Sequence, residues 1–305
     1  MSAVVTSTSV SSASPPSPLA VATRIIPRLD IKGPNLVKGI HLEGLRVLGK
    51  PAVFAREYYE QGADELLFMD VVASLYGRNS LLDIVERTAN EIFIPLVVGG
   101  GLRSTDDIKA VLRAGGDKVT LNTAAVRRPA FITEASRLFG ASTIVVSIEA
   151  MRQADGRYEA YTDNGREKTG LDAVVWARRA AELGAGEIIV TSIEREGTGR
   201  GYDLELTRRI AEAVEVPVVA CGGAGKPEDL VDAIHAGASA VSLASMLHYH
   251  VMAHTAANRA DFAAEINLHH LDHPGFARVK ATSLTQLKRT LEEQGISSRP
   301  VVACA

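Results

Sequence analysis

Two acidic residues and a twice-repeated pair of turns are where this chain could do chemistry. Gly99-Gly100-Gly101 is followed by Asn122-Thr123, and Cys221-Gly222-Gly223 is followed by Ala244-Ser245. Glycine lets a backbone approach a ligand closely, and a hydroxyl beside a helix N-terminus adds a donor where the helix dipole is positive. That combination suits a phosphate. It occurs twice, so the ligand expected is one with a phosphate at each end. Glycines that served only tight turns would leave the accompanying Asn122-Thr123 and Ala244-Ser245 turns unexplained. The acids are Asp30 and Glu149, which end the aligned runs Arg24-Ile25-Ile26-Pro27-Arg28-Leu29-Asp30 and Thr143-Ile144-Val145-Val146-Ser147-Ile148-Glu149. A single acid at a strand end is as readily a helix cap as a catalyst. A symmetric pair, set between two phosphate sites, reads as an acid and a base on either side of one substrate.

The elements that must hold these residues are themselves repeated. The segment from Pro95 aligns with the segment from Pro217 at an offset of 217 − 95 = 122. At that offset Gly100 meets Gly222, Gly101 meets Gly223, Ala114 meets Ala236 and Gly115 meets Gly237. Upstream, Leu82, Arg87 and Ala89 meet Leu204, Arg209 and Ala211 in the same register. Apolar runs rich in β-branched residues fall at 24–30, 65–71, 95–99, 118–122, 143–149, 187–192, 217–221 and 239–243, with amphipathic stretches such as 104–114 and 204–214 between them. Strands alternating with helices, without an evident hairpin signal, mean a parallel sheet. Two equal halves of four βα units close most simply into a (β/α)8 TIM barrel, whose function sits at the C-terminal ends of the strands. An open doubly wound sheet would not account for the repeat.

Composition fits one large barrel. The chain has 305 residues, 46% apolar and 23% charged, with net charge −3 and no long basic run, so nucleic acid is not the expected partner. Cys221 and Cys304 form no metal-type spacing and suit a reduced, cytoplasmic protein. No stretch approaches the roughly 18 to 20 uninterrupted apolar residues of a membrane span. Residues 1–22 are Ser-, Thr-, Ala- and Pro-rich without charge and read as a disordered tail. The barrel is expected over 23–249, an insertion over 250–282, and a final helix and C-terminal tail over 283–305. Within the insertion His254, His269, His270 and His273 have spacings that invite a metal, but a surface excursion is the expectation, with no metal or cofactor. Trp176, Tyr58 and Tyr59 lie on helical patterns and are expected to pack.

The strings IIPRLDIK, GADELLFMD, PLVVGGGLRS, GGDKVTLNTAAV, TGLDAVVWA, GAGEIIVTS, GTGRGYDLELTR and CGGAGKPEDL resemble the cyclase subunit of imidazole glycerol phosphate synthase, in that family's order, over roughly 23–250 and the last helix near 283–296. The resemblance implies a lyase of histidine biosynthesis. Its members join ammonia to a bisphosphorylated ribulosyl-formimino substrate and release imidazole glycerol phosphate and an aminoimidazole carboxamide ribotide. It implies a heterodimer with a glutaminase (glutamine amidotransferase) subunit at the N-terminal face, which feeds ammonia through the barrel. By resemblance Asp30 and Glu149 fall on the two catalytic acids and Lys38 on a substrate-holding lysine. Gly101, Asn122 and Thr123 match one phosphate site, and Gly197, Gly223, Ala244 and Ser245 match the other. Arg24, Glu65, Lys118 and Glu187 match a charged ring that gates the ammonia entrance.

The chain departs from the family's pattern in four places. Glu149, Glu194 and Glu196 stand where the family usually has aspartate, and Arg28 stands where it has a small residue, Cys or Ala. Alternation along a strand puts Arg28 on the inward face with Arg24 and Asp30, where a guanidinium needs a carboxylate partner, Asp30 or Glu149. These departures keep open an alternative: a divergent barrel that works with a glutaminase to supply ammonia for amidation of surface-polysaccharide sugars. Asp30 and Lys38, both retained, speak for ring closure.

Overall fold

The structure, a computed structural model, describes residues 22–73, 81–258, 265–267 and 278–301. Residues 1–21 of the expected tail, Cys304, and His269, His270 and His273 lie outside them. The first half runs β1 (Arg24–Lys32), β2 (Asn35–Ile40), β3 (Glu43–Gly49), α1 (Pro51–Glu60), β4 (Leu66–Asp70), α2 (Leu82–Ala89), β5 (Leu96–Gly99), α3 (Thr105–Arg113), β6 (Lys118–Leu121), α4 (Thr123–Arg127) and α5 (Ala130–Phe139). The second half runs β7 (Ile144–Arg152), β8 (Tyr158–Thr162), β9 (Glu167–Asp172), α6 (Ala173–Glu182), β10 (Glu187–Ser192), α7 (Leu204–Ala211), β11 (Val218–Cys221), α8 (Glu228–His235), β12 (Ala240–Leu243), α9 (Ser245–Asn258) and α10 (Leu284–Glu293).

Eight strands, β1, β4, β5, β6, β7, β10, β11 and β12, pair in parallel in that order, and β12 returns to β1 to close the barrel. Strands alternate faces, and the burial follows. Ile26, Leu67, Val97, Val145, Ile189, Val219 and Ala240 fill the interior. Ile25, Leu29, Phe68, Val98, Val146 and Val241 face outward into the layer shared with the helices. The helices begin where the chain offers side-chain caps: Ser104 and Asp107 form a reciprocal capping box for α3, and Asp172, Asp203 and Ser283 cap α6, α7 and α10. The repeat is visible in packing as well as sequence. A Cβ on Gly115 would stand 2.5 Å from Ala89, and one on Gly237 would stand 2.9 Å from Ala211, so each half closes the same helix–helix contact with the same two small residues.

Three findings differ from the sequence reading. The sheet is not purely parallel: β2–β3 extends β1, and β8–β9 extends β7, as antiparallel hairpins at the matching place in each half. Turn chemistry dictates them. Asp155-Gly156 turns β7 into β8, Asp163-Asn164-Gly165 turns β8 into β9, and His41 and Leu42 take positive φ between β2 and β3. The helix α9 runs unbroken through the boundary expected at 249. Part of the expected surface excursion belongs to the fold, because Ile266 is buried and bridges to Gly49 at the end of β3. The chain's last described segment ties back to the barrel floor, where Asp64 takes Lys288 Nζ at 2.7 Å and Arg299 Nε at 3.0 Å. No helix among the described residues is long and apolar enough to cross a membrane.

Candidate active site

At the barrel floor four of the expected residues form a closed ring of alternating charge. Arg24 reaches Glu65 at 2.6 Å and also bonds Glu187, while Lys118 Nζ lies 3.1 Å from Glu65 and 3.0 Å from Glu187. Each residue begins or immediately precedes a barrel strand, so each side chain points across the opening. Both carboxylates are nearly fully buried and both cations partly so.

The expected acids stand at the other end. Asp30 is on β1 and Glu149 on β7, with three barrel strands between them on either side, hence on opposite walls. Glu149 Oε2 accepts from Asn122 Nδ2 at 3.1 Å and from the Gly165 amide at 2.7 Å. Burial pushes the Glu149 carboxyl up to about 7, against the lowering pull of Arg28 and of the Gly165 N–H. At neutral pH much of it is a neutral acid. Asp30 sits differently: Oδ1 accepts from Arg28 Nε at 2.8 Å, the inward pairing that strand alternation requires.

Between Glu149 and the ends of β4–β6 lies a cavity of about 270 Å³, lined among others by Gly101, Asn122, Thr123, Arg103 and Asp70. The structure thus brings together the first expected phosphate site and one acid. A Cβ on Gly100, which has φ +98°, would lie 2.3 Å from the Asp70 carbonyl, so only glycine fits this wall. Thr123 Oγ1 donates to Asp163 Oδ1 at 3.4 Å, a weak contact.

The second expected site gathers around the loop after β10. Gly197 lies against Lys38, whose Nζ would be 3.0 Å from a Cβ there, and the Gly201 amide donates to the Gly223 carbonyl at 2.9 Å. Ala244 and Ser245 follow β12, the strand beside β11. Lys38 is buried and donates to the Gly39 carbonyl; burial lowers its pKa, against the charges of Glu196 and Asp30. Glu196 is raised by burial, against the opposing charges of Arg28 and Lys38. Glu194, by contrast, is exposed and accepts from the Arg152 amide. A larger cavity, about 640 Å³, opens beside Arg152, Tyr158 and Asp203 and contains neither acid nor either glycine turn.

The hairpins complete the mouth. Asn164 Nδ2 donates to the Leu42 carbonyl at 3.2 Å, and the His41 amide donates to the Glu196 carbonyl at 3.0 Å. Leu42, Tyr161 and Ile193 pack together beneath that contact. Asp163, Asn164 and Gly165 were therefore missed as site residues, although their Asp-Asn-Gly turn is a hairpin signal in plain view.

A family model described as "Histidine biosynthesis protein" matches residues 24–253. The Legionella pneumophila protein named imidazole glycerol phosphate synthase subunit HisF is 58% identical over 206 residues, which is 68% of this chain and 97% of that protein. The chain belongs to the HisF family of histidine biosynthesis proteins. HisF of Alkaliphilus metalliredigens is 50% identical over 230 residues, 75% of this chain and 91% of its own length. HisF of Corynebacterium diphtheriae is 48% identical over 237 residues, 76% of this chain and 92% of its own. The family-model match spans the barrel, from Arg24 of the floor ring into α9.

Proposed function

We propose that this chain is the ammonia-dependent cyclase of imidazole glycerol phosphate synthase, a lyase of histidine biosynthesis. The observation that carries the reading is the pair of acids on opposite walls, one ion-paired and one neutral, between two glycine-lined turns. Closing an imidazole ring with ammonia requires protons to leave the incoming nitrogen and others to reach the departing groups. Asp30, held by Arg28, is the base, and Glu149, carrying a proton near neutrality, is the acid. Gly101, Asn122 and Thr123 hold one phosphate, and Gly197, Gly223, Ala244 and Ser245 the other, with Lys38 beside Gly197. Spanning both sites fixes the reacting centre between the acids.

The HisF name implies a second subunit, and we infer a glutaminase docked on the floor, where Arg24, Glu65, Lys118 and Glu187 control the entrance. A bisphosphorylated substrate does not cross bilayers unaided, which supports a cytoplasmic reaction. The sugar-amidating alternative gains nothing from the relatives named above, which carry the imidazole glycerol phosphate synthase name.

The test is loss of absorbance of the ribulosyl-formimino bisphosphate with an ammonium salt at high pH, alongside Asp30→Asn. Turnover abolished by that substitution is expected. A well-folded protein that turns nothing over, even with a glutaminase added, overturns the assignment.

A further inference from the structure

Arg28 is a full charge in the barrel interior, 2% exposed, on the wall directly below Asp30. Burying a guanidinium costs several kcal/mol unless its partners restore what water gave it. Its partners are few. Nε donates to Asp30 Oδ1 at 2.8 Å, and Nη1 reaches Thr191 Oγ1 at 3.4 Å and Cys221 Sγ at 3.5 Å, both weak. Nη2 is buried and has no hydrogen-bond partner among the described residues. Burial works to lower the pKa of Arg28, but the charges of Asp30, Cys221 and Glu196 outweigh it and hold the group well above its ordinary value, so it stays a cation.

This cation acts on groups from four elements around it. On its own strand it holds Asp30; from β7 it is felt by Glu149, from the loop after β10 by Glu196, and from β11 by the Cys221 thiol. Lys38, on β2, is a further cation near Asp30 and Glu196, and His41 acts on Glu196 as well. Of these, Asp30 alone has a carboxylate oxygen bonded to it. The single bond from Nε therefore fixes Oδ1 of Asp30.

We propose that Arg28 is a positioning residue that pins Oδ1 of Asp30 through its Nε, and thereby sets which of the two acids is the base. The proposal rests on Asp30 and Glu149 being the acid–base pair. A residue placed only for packing would tune neither acid.

The experiment is the pH profile of turnover at saturating bisphosphate and a fixed concentration of free ammonia, for the wild type, Arg28→Ala and Arg28→Lys, with thermal melting of each. Removing a nearby cation raises the pKa of a carboxyl. In Arg28→Ala the alkaline limb, set by Glu149, moves to higher pH by about one unit or more. The fall is in kcat rather than in KM for the bisphosphate. Arg28→Lys keeps the charge but loses the planar fork, so its limbs stay near the wild-type positions while kcat falls. If Arg28→Ala does not fold, Arg28→Lys carries the test: unchanged kcat in a folded Lys variant overturns the proposal. So do limbs that stay fixed in Arg28→Ala while kcat and melting temperature drop. A wild type without turnover overturns the cyclase reading itself; a working wild type with unmoved limbs overturns the role of Arg28 alone.

Discussion

Replacing Glu149 with glutamine should stabilise this protein above neutral pH while removing its turnover. The carboxyl has an ordinary value of 4.5 and is pushed to about 7 in the fold, mainly by burial. The difference, 7 − 4.5, is about 2.5 units, or about 3 kcal/mol of linkage. The folded value is the higher one, so the contribution is complete below about pH 4.5, where both states hold the proton. It drains away as pH rises through 7, because the unfolded chain gives up its proton first and the fold must then bury a charge. Glutamine keeps the shape and can still accept from Asn122 and Gly165, but it never ionises. The stability difference between variant and wild type should therefore grow by about 3 kcal/mol between pH 4 and pH 8, roughly 5 °C in melting temperature for a chain of this size. Taking the difference cancels every other titrating group. Parallel melting curves across that range would refute the claim that Glu149 is a buried neutral acid, and with it the acid's role.

Gly223→Ala places a Cβ 2.2 Å from the Gly201 carbonyl at φ +115°, and should cost about 1–3 kcal/mol of strain and raise KM for the bisphosphate; Gly156→Ala, at φ +82° with nothing within 4 Å, should cost only the strain, as melting and initial rates would show. Glu65→Gln leaves Arg24 and Lys118 with Glu187 as the ring's one carboxylate, so turnover driven by glutamine through a partner should fall further than turnover on added ammonium salt. Asn122→Ala removes a donor to Glu149 Oε2 and should move the alkaline limb of the pH profile upward, a shift that Asn122→Gln should not reproduce in full if reach matters.

The barrel was legible because period and repeat are properties of single residues in order. Gly100 and Gly222, or Ala89 and Ala211, can be matched without knowing what they touch, and the floor ring follows once each charge is placed at a strand start. Arg28 was legible for the same reason: alternation alone turns it inward. The hairpins were missed because their strands are short and polar, and a search for apolar runs passes over Glu167–Asp172 or Glu43–Gly49. What no reading of order could give is the meeting of Asn164 with Leu42, two turns 122 residues apart that touch only because opposite walls of one barrel carry them.

That meeting shows how a symmetric scaffold comes to do asymmetric chemistry. Duplication hands both halves the same strand, the same hairpin and an acid at the same height. Ring closure needs the two acids to differ in protonation at one pH, so the difference must lie in what each half places around its acid. On β1 the neighbour two residues back is Arg28, a cation; on β7 the matching neighbour of Glu149 is Ser147, a buried hydroxyl. Asp30 is held by charge, whereas Glu149 is held by two neutral donors in a place that penalises charge. Exchanging the pair, Arg28→Ser with Ser147→Arg, should therefore bring Glu149 down and take from Asp30 the cation that holds its Oδ1. A site whose pH profile survived that exchange unaltered would mean that the roles of the two walls are not set by these neighbours.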